Sequence, residues 1–346
     1  MKRVRAVLNP LKTSSYNFTL PEELIATHPA QPRENARLLV YDRSSDTITH
    51  AHFYEIEKFL PQDTALIFNN TKVIKARLFG HKKSGGKIEL LINRMLDAHT
   101  INVYIRGKVK VGMELFFDND LRATVTALHK DGSRNVNFFY SDTPLRFEEL
   151  LPIIDKIGHI PLPPYIQRPD GSEDSTDYQT VFAKHEGAVA APTASLHFST
   201  ELFERICQNY THAFVTLHVG AGTFKPVESE TITDHPMHSE YYAMSSEALN
   251  IIKSDQALLC VGTTSTRTIE YYVRTEEESG EANLFLHPHN PPKRVTHLLT
   301  NFHLPQSTLL MLVASFVGVE TTHKLYKEAI KEHYRFYSYG DSMLIL

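Results

Sequence analysis

Apolar and polar residues alternate through five short runs between residues 75 and 140: KIELLINR, TINVYIR, MELFF, RATVTALH and NVNFFY. A period of two is the repeat of a strand with one buried face. Asp118-Asn119-Asp120 and Lys130-Asp131-Gly132-Ser133 supply turn chemistry between three of the runs. The pattern predicts a small antiparallel barrel or sandwich. Before it stands LPQDTALIFNN, a buried strand ending in polar residues, and after it RFEELLPIIDKIG, an amphipathic helix with Gly158 as its stop. The β unit therefore reads as an insertion.

From residue 213 onward the period changes back and forth. AFVTLHVG, ALLCVG and VTHLLTNF read as strands, and SEALNIIK, STRTIEYYVR, STLLMLVASFVG and HKLYKEAIKEHYRF as helices. Such alternation marks α/β architecture with helices covering the sheet. The expected fold is an α/β main domain, residues 1–72 and 147–346, with an inserted antiparallel β-barrel domain over residues 73–146. IPLPPYIQRP and PDGSEDSTD predict an extended loop, either a lid or a surface excursion.

A length of 346 residues allows two cores. An apolar fraction of 42% and a charged fraction of 22% exclude a largely disordered chain. The longest apolar run, residues 309–319, reaches about half of the roughly 20 residues a membrane span needs, so a buried helix is expected and no membrane partner. Cys207 and Cys260 form no paired pattern, which fits a reducing cytoplasm. The basic N-terminus, MKRVRAVLNPLKTSS, lacks an apolar core and reads as a short extension rather than a signal peptide. Net charge is −4, yet residues 72–110 hold ten basic side chains against two acids. That excess suits phosphate, with Lys72, Arg77, Lys82, Lys83 and Lys87 as candidates, or else forms a solvated face.

The band of residues 187–241 sets His197, His218, His235, His238 and Glu240 among glycines and small residues. Small residues let backbone approach a ligand, and imidazole moves protons near neutral pH. Three strand ends carry unusual residues: His218 with Gly220-Ala221-Gly222-Thr223, Gly262-Thr263-Thr264-Ser265, and Asn301-Phe302-His303. Ligands of α/β sheets bind at such ends. The Gly262 turn opens a helix whose N–H groups, with Arg267, could hold an anion, or Thr and Ser simply cap it. VGAGTF is either a tight turn or a weak nucleotide signature, having no third glycine and no acid closing a following strand. The histidines could serve proton transfer or a metal, although HExxH and paired cysteines are absent.

Twelve segments, in order, resemble the S-adenosylmethionine:tRNA ribosyltransferase-isomerase family of queuosine biosynthesis: LPEELIA, PRENARLLVYDR, IFNNTKVIKARLFG, GGKIELL, IPLPPYI, DYQTVFA, AAPTASLHF, TLHVGAGTFKPV, HPMHSE, VGTTSTRTIE, TNFHLPQSTLLMLV and YRFYSYGDSMLIL. The chain departs from the family at Ser195, where Gly is more frequent, at Asn70 and Lys72, and at His289-Asn290. The resemblance implies that the ribosyl part of S-adenosylmethionine is transferred and isomerised onto 7-aminomethyl-7-deazaguanine at the tRNA wobble position. Adenine and methionine would leave, and epoxyqueuosine would remain.

On that resemblance, His197, His218, His238 and Glu240 are expected to carry proton transfer. Thr193, Ser195, Phe198, Gly220, Gly222, Thr223, Phe224, Thr263, Thr264, Ser265, Arg267, Asn301 and His303 are expected to bind the cosubstrate, with Arg267 and the Thr263 turn on the methionine carboxylate. Phe198, Phe224 and Phe302 would offer ring faces to adenine or the sulfonium, or belong to the core. The basic barrel would hold a tRNA with a GUN anticodon carrying the deazaguanine precursor. S-adenosylmethionine is consumed as a cosubstrate; no cofactor or metal is expected, and the enzyme should be a cytoplasmic monomer. A tRNA methyltransferase or a non-catalytic RNA-binding derivative are the rival readings; the first would release S-adenosylhomocysteine and never adenine.

Overall fold

The computed structural model of the protein describes residues 8–220, 222 and 227–346. Its first strands are β1 (Arg37–Asp42), β2 (Thr47–His52), β3 (Thr64–Asn69) and β4 (Thr71–Val73). A β-rich stretch follows with β5 (Arg77–Lys82), β6 (Lys87–Met95), β7 (Thr100–Arg106), β8 (Glu114–Phe117), β9 (Leu121–Leu128), β10 (Ser133–Tyr140) and β11 (Thr143–Pro144). Next come α1 (Phe147–Ile157), α2 (Asp174–Asp177), β12 (His185–Ala188), α3 (Thr200–Asn209), β13 (His212–Leu217), β14 (Glu240–Met244) and α4 (Ser246–Lys253). The chain closes with β15 (Ala257–Val261), α5 (Thr263–Thr275), β16 (Ser279–Ala282), β17 (His297–Asn301), α6 (Thr308–Val317), α7 (Val319–Lys331) and β18 (Ser342–Ile345).

The main sheet runs β16-β14-β13-β3-β15-β17-β18-β1-β2. Its centre, β13, β3, β15 and β17, is parallel, so these four strands end along one edge. β3 reads TALIFN and is buried at every residue, as a strand covered on both faces requires. Alternate residues go to opposite faces. Ala65, Ile67, Leu258 and Cys260 pack under α4 and α5, while Leu66, Phe68, Leu259 and Val261 pack with α3 and Phe53. α6 and α7 cover Leu298, Met343 and Leu39 farther along the sheet. α5 is made of Thr, Ser and Tyr rather than Leu, yet its first two turns are buried. Its hydroxyls bond their own helix: Ser265 donates to Val261 O, Thr266 to Gly262 O and Thr268 to Thr264 O, which satisfies buried polar groups internally.

The inserted unit is a closed antiparallel barrel in the cyclic order β10-β7-β6-β5-β8-β9, β9 pairing back to β10. Inward residues such as Leu78, Leu90, Ile92, Val103 and Val125 fill it, and Phe147, Leu150 and Ile154 of α1 join that core. The five alternating runs account for five of its staves. The sixth, β5, reads RLFGHK, where basic residues and a glycine obscure the period of two.

α7 begins before the segment HKLYKEAIKEHYRF and stops at Lys331, because Gly318 at φ +82° and His333 at φ +55° break the helical path on either side. The Pro-rich segment after α1 is strapped down rather than loose. Asp174 accepts bonds from both terminal nitrogens of Arg168, from Gly171 N and from the Tyr339 hydroxyl, and Gln179 clamps both the N–H and the C=O of Val73.

Gly158 ends α1 in an extended conformation, φ −85° and ψ 165°, so it is not a left-handed stop. Its requirement is space: a Cβ there would lie 2.2 Å from Lys75 O and 2.5 Å from Ile154 O. Gly158→Ala should therefore cost about 2–3 kcal/mol of stability by overpacking, read from the urea midpoint. An unchanged midpoint would show that the barrel junction yields at no cost.

Candidate active site

The parallel strand ends converge as the three unusual turns require. Asn69, the fully buried last residue of β3, ties them together. Its Nδ2 donates to Leu217 O at 3.0 Å and reaches Thr264 Oγ1 at 3.4 Å, while its Oδ1 accepts from Leu217 N at 3.1 Å and Thr71 N at 3.2 Å. One amide thus joins the end of β13 to the start of α5. Sequence reasoning did not single out Asn69; the signal was an apolar strand closing on two asparagines.

Above this edge lies a cleft, open to solvent, with a cavity volume of about 70 Å3. Residues 190–194 and Val219 form one side, Gly262, Thr263 and Thr264 another, and Thr300 to Leu304 the floor, while Tyr165, Tyr337 and Ser338 close it. Among the described residues no charged side chain lines it. Gly262 caps α5 without a side chain, at φ +94°, so the first N–H groups of that helix stay open toward the cleft, where they favour an anion.

Of the expected binding residues, Thr193, Thr263, Thr264, Asn301 and His303 line this cleft. His303 Nε2 meets Thr300 Oγ1 at 2.7 Å and its N–H donates to the Tyr326 hydroxyl at 2.9 Å. Burial pushes its pKa down to about 3, so the imidazole is neutral at working pH. Asn301 spends its side chain on the protein: Nδ2 donates to Tyr337 O and Ser338 O, and Oδ1 accepts from His197 Nε2 at 3.2 Å. His197 therefore stands one layer behind the cleft, packed on Phe53 and held neutral by burial, its pKa lowered to about 4.

The other expected groups fall elsewhere. His218 sits at a neighbouring, more open cleft with Lys184, His185, His212 and Tyr241; its Nδ1 meets Thr71 Oγ1 at 2.7 Å, and burial lowers its pKa to about 4. Glu240, 3% exposed, accepts from Arg267 at 2.8 Å on Oε2 and from Gly220 N at 3.0 Å on Oε1, and His238 Nε2 lies 3.8 Å from that same Oε1. Arg267 thus faces Glu240 instead of the cleft, and the pair anchors the Gly220 turn to α5. Gly222 fits under the His238 ring, where a Cβ would be 3.0 Å away. Thr223 and Phe224 lie outside the described residues. Ser265 bonds Val261 O, and Ser195, wholly buried with its hydroxyl unsatisfied, does not line the cleft. Phe198 is core, edge-on to Phe53 and Phe68; Phe302 is core on one side and cleft floor on the other. Among the described residues no group of three His, Cys, Asp or Glu is placed to hold a metal, and no helix is long and apolar enough to cross a membrane.

The basic residues divide into two sets. Lys72 pairs with Glu186 at 2.8 Å. Arg77 is largely buried, pairing with Glu89 at 3.3 Å and donating to Leu162 O, so both serve the domain junction. Lys82, Lys83 and Lys87 surround the β5–β6 turn, and no ion pair involves them among the described residues. Arg106, opposite Glu89 at the end of β7, lies at the same end of the barrel. At its other end Arg94 reaches Ser239 and Glu281 of the main domain.

A family model described as queuosine biosynthesis protein matches residues 13–345. The S-adenosylmethionine:tRNA ribosyltransferase-isomerase of Sulfurimonas denitrificans is 68% identical over 337 residues, covering 97% of this chain and 98% of that protein. The protein of the same name from Nitratiruptor is 61% identical over 340 residues, 98% of this chain and all of its own length. The crystal structure of S-adenosylmethionine tRNA ribosyltransferase from Thermotoga maritima, 33% identical, superposes with a TM-score of 0.53 and covers 96% of this chain and 100% of its own. With its barrel inserted in an α/β sheet and its sequence matched from end to end, the chain belongs to the queuosine biosynthesis family of S-adenosylmethionine:tRNA ribosyltransferase-isomerases.

Proposed function

We propose that the chain transfers and isomerises the ribosyl group of S-adenosylmethionine onto 7-aminomethyl-7-deazaguanine at the wobble position of a tRNA with a GUN anticodon, in the cleft above β15 and β17. Epoxyqueuosine-tRNA, adenine and methionine are the products. The observation that carries this reading is a cleft at converging strand ends whose described lining holds aromatic rings and hydroxyls but no charged side chain, beside a helix N-terminus with no side-chain cap. A sulfonium is a cation that needs no carboxylate partner if ring faces surround it. The methionine carboxylate is an anion suited to the first N–H groups of α5 and the Thr263 and Thr264 hydroxyls. The reaction needs a base for the proton on the carbon beside sulfur and an acid for departing adenine. His303 is the imidazole among the described lining residues; burial keeps it neutral and weakly basic there, so in this reading it gains proton affinity only once the bound substrate adds polar partners around it. His197 acts on it indirectly, through Asn301 and the turn that closes the cleft.

The barrel supplies the tRNA surface. Arg77 marks its end near the main domain, and Lys82 lies five residues farther along β5, about 17 Å away at the rise of a strand. The lysine turn thus grips phosphates of the anticodon arm at a distance while the loop is splayed toward the cleft. In this reading the enzyme acts as a monomer and without a metal.

Incubation with S-adenosylmethionine and tRNA bearing the aminomethyl base should release adenine and methionine in equal amounts, with or without a strong chelator. Transfer of a methyl group alone would replace this reaction by methylation, and activity lost to the chelator and restored by zinc would install a metal.

His303→Ala should lower turnover by about 10²–10⁴-fold, the range for a general acid or base, in protein that still binds tRNA. Glu240→Gln should behave differently. It leaves the Arg267 guanidinium buried without its counter-charge, a loss of about 3–5 kcal/mol in urea unfolding, with the rate per folded molecule close to wild type. A large rate loss at full stability would return Glu240 to the chemistry itself.

Alanine at Lys82, Lys83 and Lys87 together should weaken tRNA binding and reduce the slope of log affinity against log salt by about two to three, since each lost phosphate contact removes roughly one released counterion. S-adenosylmethionine binding should stay as it was. An unaltered salt slope would move the RNA surface away from this turn.

A further inference from the structure

We infer that Tyr165 and Tyr337 form the wall of the cleft that recognises a purine ring, and that its occupant is the adenine of S-adenosylmethionine; the inference rests on the function proposed above. The two rings meet at 4.4 Å between centroids, tilted by 50°, and both line the cleft beside Phe302. They come from distant parts of the chain. Tyr165 is delivered by the Pro-rich strap and Tyr337 by the turn before β18, and the Tyr165 hydroxyl is locked to Ser338 Oγ.

The turn is held in an unfavourable shape. Tyr337 has φ +73°, a conformation that a bulky side chain adopts only when its surroundings impose it. The surroundings are specific: Tyr337 N donates to Phe302 O, its carbonyl accepts from Asn301 Nδ2, and buried Asp341 accepts from Arg335 N and Arg37 N. The strap is pinned equally firmly by Arg168, Gly171 and Tyr339 on Asp174. Two anchored, partly strained segments therefore bring two rings into the lining of a cleft that has no charged side chain among its described residues. A flat, uncharged heteroaromatic ring is the ligand group that gains most from such a wall.

The commitment to adenine, not the wobble base, follows from the rest of the cleft. The wall lines the same cleft as Gly262, Thr263 and Thr264 at the N-terminus of α5, an arrangement that suits one molecule carrying a purine at one end and a carboxylate at the other. The expected role assigned to Phe198 thereby passes to rings that line the cleft.

The test compares Tyr165→Ala, Tyr165→Leu and Tyr165→Phe, each in the full chain. Binding of S-adenosylmethionine and of adenosine is measured by calorimetry without tRNA, and KM is measured for both substrates. Removing the ring should raise Kd and KM for S-adenosylmethionine about tenfold or more, the loss typical of a base-stacking aromatic, and abolish adenosine binding, with KM for tRNA unchanged. Tyr165→Phe, which keeps the ring and drops the Ser338 bond, should retain most of the binding that Tyr165→Leu loses. Tyr165→Leu keeps apolar bulk and reports the same loss in protein whose melting temperature matches wild type. Unchanged S-adenosylmethionine binding in the Leu variant overturns the inference, and a rise confined to KM for tRNA gives the wall to the wobble base instead. If wild-type protein releases no adenine from S-adenosylmethionine, the proposed function has failed; if it does and the variants bind normally, only the wall has.

Discussion

Four parallel strands that end along one edge leave backbone groups that must be satisfied just where a ligand has to enter, and Asn69 resolves that conflict. Buried polar groups are tolerated only when fully bonded. Asn69 uses both ends of its amide on Leu217, Thr71 and Thr264, so the β13 end, the β4 start and the α5 start become one rigid unit. Because this bridge does not use the first-turn N–H groups of α5, the edge is fixed without the anion-binding dipole being consumed. A serine or aspartate cap at Gly262 would have closed it.

Much of this edge was legible in the sequence. Apolar strand runs that break into Gly, Thr, His and Asn mark where strands end and something other than core begins, and Val219, Gly262 and Asn301, from three such ends, line one cleft while His218 lies at its neighbour. What the chain could not display was the direction of side chains at that edge. His197 meets Asn301 across 104 residues and Glu240 meets Arg267 across 27, and only such pairings reveal that His197 stands behind the cleft and that Arg267 is engaged. Tyr165 was hidden for the same reason: a tyrosine in a Pro-rich loop carries no period, and its partner Ser338 lies 173 residues away. β18, four buried residues between β17 and β1, is too short an apolar run for periodicity to classify.

The barrel shows a related division between pattern and position. Its alternation follows from a filled interior, and the basic residues of its sequence read as one patch. In three dimensions they split by distance from the main domain. Lys72 and Arg77 are at the junction, where ion pairs and a carbonyl hold them, whereas Lys82, Lys83 and Lys87 ring a turn in solvent. The split has an energetic basis. Arg77 gains by pairing because it is largely buried, while a cation in solvent gains little from any neighbour.

The same logic orders the charges around the cleft. Glu240–Arg267, Asp174–Arg168 and Asp341–Arg335 are buried or half-buried pairs set one layer behind the lining residues, each fixing a segment that the lining needs: the Gly220 turn, the Pro-rich strap and the turn that presents Tyr337. A carboxylate in the cleft wall would grip a sulfonium in the ground state and oppose its conversion to a neutral thioether, which is uniform binding of the kind that does not speed a reaction. Keeping the ions behind the wall lets them position the structure, while the wall itself offers rings, hydroxyls, a neutral imidazole and a helix dipole. Charge that disappears during the reaction then leaves nothing behind it unpaired.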